Sequence, residues 1–515
     1  MNNRGLFVVL LLAMMFSCCA CGGDIEAVPV KPGTENIPSD DNTDNDQDTG
    51  DENNNENENS GNENTGDDNT GNENEGGNGE GEGDGDDTTT EADYVVEIEN
   101  ADFEEGLKGW STKNYKDATL AKVEIVDGMG VNGSKCVKIS QASNNSVCCM
   151  AVERTLTNLK PETMYRFSAK VKYENVAKGC GAVIFNQNDI QYWNSSVYLL
   201  GTKMDDWTTA EIDVLTDEYG SVKICCALGY WLGGKQDGGR STGTVYYDDV
   251  KVVEVSDELY IRGGEHMCIY IDPTQITVPN SAIDAWLERV DDMYEAYADL
   301  VGSTPYNGRR LGILTTKGID NGYLALAGLP ILWNGTKSYQ KESFENIYKH
   351  NTMDFGMMHE MGHTFNHIGN SSWNWNDEMF ANFRMQYGLE KTGYAVYQRG
   401  NGDTTKKVYK GREILNMYKQ DYDRTLTSSS GMNDNAVHYV LARLADEKIL
   451  GWEPFKLTFR YLHQYGYSGN SNNWYKFSYF IDKLSHYASE VHNKTIDVWD
   501  LLSKEEIDSI KKKWL

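Results

Sequence analysis

At 515 residues, with a formal net charge of -32 and only nine histidines, the chain is long enough for two or three domains. Its acidic balance, with no basic stripe, excludes nucleic-acid binding that works by neutralising phosphates. The charge is unevenly placed: no Lys or Arg lies between Lys31 and Lys108, where stretches such as "NDQDTGDENNNENENSGNENTGDD" are almost wholly Asp, Glu, Asn, Gly and Thr.

Taken in chain order, the first element is an export signal over residues 1–21. Arg4 precedes the apolar run "GLFVVLLLAMMF", too short to span a membrane as a mature helix, and "SCCACGGD" follows at once. Cysteine directly after small residues resembles a bacterial lipoprotein signal, which makes Cys21, or alternatively Cys18, the acylated residue and a lipid the only membrane attachment. An ordinary secretory signal is the plainer alternative. Residues 22–93 cannot bury enough apolar surface to offset their ordering entropy, so they are expected to be an extended acidic spacer. A coil of about seventy residues holds a folded head about 40–50 Å from its anchor, which suits a protein of the outer membrane or cell surface.

From Tyr94 to about residue 256 the chain offers short alternating segments, among them "AKVEIVDG", "YRFSAKVKYE", "TTAEIDVLT" and "TVYYDDVKVVEV". Period-two alternation broken by Gly, Asn and Asp predicts an antiparallel β-sandwich. The vicinal cysteines of "NSVCCMAV" and "VKICCALGY" lie in such segments, so one of each pair faces inward as a free core thiol, and no disulfide is expected. "NADFEEGLKGW" and "YYDDVKV" resemble the opening and closing strands of the carbohydrate-binding jelly-rolls attached to many bacterial glycan enzymes. Sugars stack on flat aromatic faces, which nominates Tyr192, Trp193, Tyr230 and Trp231, each beside polar, Gly-rich sequence; Trp110 and Trp207 are expected in the core. The same resemblance implies a structural calcium near the last strand, for which Asp249, together with Glu104, is a candidate oxygen ligand; the plainer alternative is that both are surface acids without such a role.

Residues 257–515 change character. "GEHMCIYID" and "RRLGILTT" read as strands, and "PNSAIDAWLERVDDMYEAYADLVG" as a helix with apolar residues from Ile283 to Leu300 at helical spacing. "LALAGLPILW" reads as a further strand, with two readings open: a core strand, or an edge that pairs with an extended substrate. "MMHEMGHTFNH" then carries HExxH at His359, Glu360 and His363. On a helix the two histidines share a face one turn apart, the separation two ligands of a tetrahedral zinc need, with Glu360 beside them as general base. Glu378, on the following helix "NDEMFAN", is the candidate third ligand; it is preferred to Asp377 because a helix points one of the two at the metal. Asn382 is one turn further on and suited to orienting the ligands. His350 and His367 are out of register. The plain alternative is a core helix that happens to carry imidazoles.

This half resembles the enhancin-like metallopeptidases (the M-sixty-like peptidases), which include mucin-targeting O-glycopeptidases of gut bacteria. The likeness rests on HExxH followed by Glu378 in an E-x-x-x-N context with Asn382, on "LAGLPILW" upstream and on "ILGWEPFKLTFRYLHQY" downstream. "HTFNH" departs from the family's usual tail. The resemblance implies an α+β, mostly helical, gluzincin-type peptidase domain with one catalytic Zn2+ and glycoprotein substrates. Tyr439 or His438 in "NAVHYVLARL" is a candidate oxyanion donor, against the plain reading of a core helix. The alternatives are a zinc peptidase of non-glycan specificity, acting on general protein or cell-wall peptide, and a glycan-binding adhesin with an inactive zincin domain.

Overall fold

The computed structural model describes residues 94–115, 120–142, 149–187, 194–230, 241–317, 324–335, 338–366, 368–398 and 407–515. The signal, the acidic spacer, Cys18 and Cys21 lie outside them. Among the described residues no helix is long and apolar enough to cross a membrane.

The first part is an antiparallel sandwich. Strands β1 (Ser111–Asn114), β4 (Met150–Leu156), β8 (Val222–Leu228) and β6 (Ala182–Gln187) form one sheet in that order. Strands β2 (Lys122–Val126), β3 (Cys136–Gln141), β9 (Thr242–Glu254), β5 (Met164–Ala177) and β7 (Gly201–Leu215) form the other. Alternation builds the core between them: Tyr165, Phe167, Ala169 and Val171 of β5 face inward while Arg166, Ser168, Lys170 and Lys172 face out. On β9 the inward set changes parity, from Val245 and Tyr247 to Val250 and Val252. The cause is a bulge, where the register with β5 shifts and Asp249 takes φ 46°.

Cys225 and Cys226 do point to opposite faces. Cys226 joins the inter-sheet core, whereas Cys225 sits with Cys149 and Cys180 under a second cluster on the outer face of the four-stranded sheet. All six described cysteines are buried.

The C-terminal part begins after one 3-10 turn, Ser256–Glu258. Its sheet is mixed, in the order β10 (Tyr260–Gly263), β11 (Met267–Ile271), β12 (Leu311–Thr316), β14 (Ile331–Asn334), β13 (Ala325–Leu326), with β11, β12 and β14 parallel to one another. The expected strand "LALAGLPILW" is therefore two: β14 is interior and the short β13 lies antiparallel at the edge. Helices α1 (Asn280–Val301), α2 (Tyr339–His350), α3 (Phe355–Thr364) and α4 (Asp377–Thr392) follow. Then come α5 (Leu415–Thr425), α6 (Asp434–Leu444), α7 (Glu453–Tyr465), α8 (Asn473–Val491) and α9 (Lys504–Trp514). A small sheet of β15 (Met353–Asp354), β16 (Ala395–Gln398) and β17 (Lys407–Lys410) is set among them.

The two parts share a core. Met164, Leu215 and Val255 of the sandwich are buried in one cluster with Met267, Ile269, Leu311 and Ile313. Arg309 approaches Glu162 at 3.9 Å and Glu218 at 3.6 Å, and the Thr316 hydroxyl donates to Asn194 Oδ1.

Asp299 ties three helices, its Oδ2 accepting from Tyr387 and Lys391 of α4 and lying 2.9 Å from Lys456 Nζ of α7. Burial alone would raise its carboxyl; Lys391, Tyr387 and Lys456 outweigh burial and hold it below the ordinary 3.8. With the folded value depressed, its stabilisation is complete above pH 3.8 and is lost as the pH falls through that lower value. Asp299→Asn should therefore lose about 1 kcal/mol less than wild type between pH 7 and pH 3 in urea unfolding, the figure discounted for solvent screening. Parallel losses in the two proteins would remove Asp299 from this role.

Candidate metal centre

Helix α3 starts where Asp354 accepts the Met357 N–H at 3.1 Å, an aspartate N-cap. Met357, Met358 and Met361 are fully buried along one side, and the α1 Tyr297 hydroxyl donates to the Met358 carbonyl at 3.1 Å. That leaves His359 and His363 on the other side, next to α4. The two helices meet at Gly362, where a Cβ would lie 2.6 Å from the Ala381 carbonyl oxygen and 3.0 Å from its Cα. Only a glycine permits that approach. The start of α4 is fixed by its cap, Asn376 accepting from Met379 N–H at 2.9 Å, and by buried Trp373 and Trp375 packing on Phe380 with ring centroids 5.0 and 4.6 Å away.

The result is a convergence of donor atoms. His359 Nε2 lies 3.0 Å from His363 Nε2 and 3.0 Å from Glu378 Oε2, which is 3.5 Å from His363 Nε2. The far side of each ring is held: His359 Nδ1 is 2.8 Å from Asn382 Oδ1, and His363 Nδ1 is 2.7 Å from Asp377 Oδ2. An Nδ1 facing an oxygen acceptor carries the proton, so each Nε2 turns a lone pair toward the other. Two lone pairs and a carboxylate at this separation call for a shared cation, and a His-His-Glu set with a position left for water suits zinc. The residues present fit that ion.

The lone-pair arrangement is the one a bound cation would impose; with none between them, the acids pair with protonated imidazole. Bonds from His359 and His363 push the Glu378 carboxyl far below its ordinary value. Burial would lower His363, but Asp377 and Glu378 outweigh it and raise it to about 10. Glu360 moves the other way: burial raises its carboxyl, against the opposing pull of His359 and His363 and a hydrogen bond from the Ala327 backbone. Ala327 directly follows β13, so the base and the sheet edge are adjacent. Beside the first turn of α3 is a cavity of 170 Å³ lined by Glu342, Asn346, Asp354, Phe355 and Gln398 among others.

Two residues that sequence reasoning missed support the site. Asp377 does not point away while Glu378 points in, as the helix argument expected: both first-turn carboxylates reach the histidines, on opposite ring nitrogens. Arg384, fully buried, donates to the Gly362 carbonyl at 3.0 Å and to Asn366 Oδ1 at 3.4 Å, with Asp377 Oδ1 3.9 Å away. The adjacent acids of "NDEMF" were the available signal for Asp377; an arginine inside an apolar helix was the signal for Arg384.

Other expected positions fall elsewhere. His438 is a core residue, bonded through Nε2 to Gln386 Oε1 at 2.6 Å and stacked on Tyr418, and burial lowers its pKa to about 3. Tyr439 packs on Tyr422 at 4.9 Å. The structure thus gives neither the setting of an oxyanion donor, because α6 turns them toward α4 and α5 for packing. His350 stacks near Tyr397, and His367 lies outside the described residues. In the sandwich, Tyr230 is buried at 4% exposure against Phe185, which removes it as an open sugar platform. Tyr192, Trp193 and Trp231 lie outside the described residues. Trp110 is buried as expected, but Trp207 is only part-buried on edge strand β7, with Lys172 Nζ 4.5 Å above its ring. Of the calcium candidates, Glu104 Oε1 accepts the Lys135 N–H at 2.6 Å and Asp249 sits on the bulge. The buried carboxylate is the neighbouring Asp248, which accepts from Val131 N–H and the Ser134 hydroxyl. Neither Glu104 nor Asp249 belongs to a three-residue ligand cluster among the described residues.

Comparison with known proteins bears on the sandwich. Residues 97–213 match the family model CBM_4_9, described as a carbohydrate binding domain. No curated protein matches the chain. Similar solved structures include TmCBM61 in complex with beta-1,4-galactotriose (19% identity, 30% of this chain and 97% of that one, TM-score 0.23). Another is the CBM22-1-CBM22-2 tandem domain of Paenibacillus barcinonensis Xyn10C (18% identity, 33% and 51%, TM-score 0.24). A third is a family 16 carbohydrate binding module (21% identity, 30% and 99%, TM-score 0.21). The chain thus carries a sandwich that resembles carbohydrate-binding jelly-rolls, followed by a mostly helical C-terminal region.

Neutralising the carboxylate behind His363 tests the arrangement without touching a candidate ligand. Asp377→Asn should weaken zinc binding about 10–100-fold in chelator competition while the far-UV circular dichroism is unchanged. Unaltered zinc affinity would show that the Asp377–His363 bond does not orient a ligand. Gly362→Ala should lose zinc more completely, because its methyl group displaces α4 and with it Glu378.

Proposed function

We propose that this chain is a zinc-dependent endopeptidase that hydrolyses peptide bonds in glycoproteins, O-glycosylated mucin-type chains being the substrate class it suits. The observation that carries this reading is the meeting of His359, His363 and Glu378 within 4.8 Å of one another, with Glu360 on the same helix. His359, His363 and Glu378 would hold a zinc ion, which would supply a Lewis acid for the scissile carbonyl and acidify a water molecule. Glu360 is placed to accept a proton and return it to the leaving amine; its raised carboxyl pKa makes it a stronger base than an exposed glutamate. Asp377 and Asn382 keep the imidazoles in the tautomer that presents Nε2. The edge of β13, adjacent to the Ala327 N–H that Glu360 uses, suits pairing with an extended peptide.

The glycan part of the reading rests on the carbohydrate-binding family match and on the shared core that holds the sandwich against the catalytic half. A structural calcium in the sandwich, held by Asp249 and Glu104 with the buried Asp248 alongside, remains part of the proposal, as does attachment to the outer membrane or cell surface through a lipid on Cys21 or Cys18. The same family match favours one competing reading, a glycan-binding adhesin whose zincin domain is inactive.

Cleavage of a mucin-type glycoprotein, before and after enzymatic removal of its O-glycans, separates these. The proposal expects cutting of the glycosylated form, slower cutting after deglycosylation, and a rate about 10²–10⁴-fold lower for Glu360→Gln. Equal cutting of both forms indicates a peptidase of non-glycan specificity. Binding without any cutting by zinc-loaded wild type indicates the adhesin, and a fully active Glu360→Gln protein overturns the mechanism.

A further inference from the structure

A second group of metal-ligating side chains lies away from α3 and α4. Glu265, His266 and Glu295 each offer one ligand atom, all within 4.8 Å of one another. Glu265 and His266 form the tip of the hairpin between β10 and β11, closed by the Gly264 N–H donating to the Met267 carbonyl at 2.7 Å. That tip is bolted to α1 by Asp291, whose carboxylate accepts the backbone N–H groups of Glu265, His266 and Met267 at 2.5, 3.0 and 3.0 Å. The fit is tight enough that a Cβ on Gly264 would lie 2.0 Å from Asp291 Oδ2. Glu295 is one helical turn beyond Asp291, on the same face of α1, and so comes up beside the tip.

Anchoring the hairpin accounts for Asp291 but not for the other three residues. The His266 ring lies flat on Tyr294, centroids 4.5 Å apart and planes 15° apart, which sets the direction of its nitrogens. His266 Nε2 is shielded from solvent and makes no hydrogen bond, yet stands 3.5 Å from Glu295 Oε1. Among the described residues no lysine or arginine is ion-paired with either carboxylate; Arg310 Nε donates to the Glu265 backbone carbonyl instead, at 3.4 Å. Two carboxylates and a shielded imidazole nitrogen are thus brought together with no cationic side chain between them, an arrangement that a divalent cation relieves.

We propose that Glu265, His266 and Glu295 form a second divalent-cation site, with zinc the ion best suited to one imidazole and two carboxylates. Its role is structural. The ion clamps the β10–β11 hairpin onto α1, and the Tyr294 beneath His266 packs edge-on against Phe365, at the end of α3, with centroids 5.0 Å apart. Metal at this site therefore stiffens the support behind the candidate metal centre.

Zinc titrations of the full chain, followed by calorimetry and by competition with a chromophoric chelator, test this without reading activity. Wild type should take up two zinc ions, His359→Ala one, His266→Ala one and the double variant none. Zinc should raise the melting temperature of His359→Ala and leave that of the double variant unchanged. Glu295→Gln, a milder change, should weaken the second event if His266→Ala fails to fold. The proposal is overturned if folded His359→Ala binds no zinc, or if its zinc survives both His266→Ala and Glu295→Gln. Equal uptake by wild type and His359→Ala would instead count against the α3–α4 site, so the two assignments fail separately.

Discussion

The close crossing of α3 and α4 at Gly362 and Ala381 is the contact on which the rest of the site depends. A methyl group at Gly362 would meet the Ala381 backbone at 2.6 Å, so any larger residue moves α4 outward and takes Glu378 from its place near both Nε2 atoms. Arg384 fastens the same crossing from behind, bonded to the Gly362 carbonyl and near Asp377. A buried guanidinium is costly unless its donors are used. Here two of its nitrogens bond the Gly362 carbonyl and Asn366, with Asp377 close by, while the buried Nε has no hydrogen-bond partner.

The same few ångströms hold carboxylates pushed in opposite directions. Glu378 and Asp377, each bonded to an imidazole, are held below their ordinary values, while Glu360, with burial dominant and only a backbone donor for a partner, is raised. That division separates carboxylates held ionised from one held nearer neutrality. Environment, rather than residue type, makes the difference.

The sandwich is not a bead on a string. Met164, Leu215 and Val255 are buried with residues of β11 and β12, and the connection between the two parts is one 3-10 turn. Whatever the sandwich binds is therefore held in a set direction relative to α3. On the outer side of the same sheet Asp248, paired with outward-facing Lys170 just before the bulge at Asp249, is buried where it fastens the Val131 loop.

Period and spacing by themselves determined the β-sandwich, the largely helical half that follows, and the shared faces of His359 with His363 on one helix and of Glu378 with Asn382 on the next, because such patterns follow from 3.6- and 2-residue repeats. Only the tertiary structure decided which neighbours those faces would meet. Asp377 joins the site because the first turn of α4 straddles the His363 ring, with Asp377 at Nδ1 and Glu378 near Nε2. Trp110 and Trp207 look alike in sequence, yet one is sealed by Phe103 and the other lies on an edge strand under Lys172. Tyr230 and His438 carried functional promise as residue types, and packing against Phe185 and Tyr418 made them core. Local pattern tells which side of an element is apolar; it says nothing of what covers that side, since contacts between distant segments are set by the packing of the whole chain.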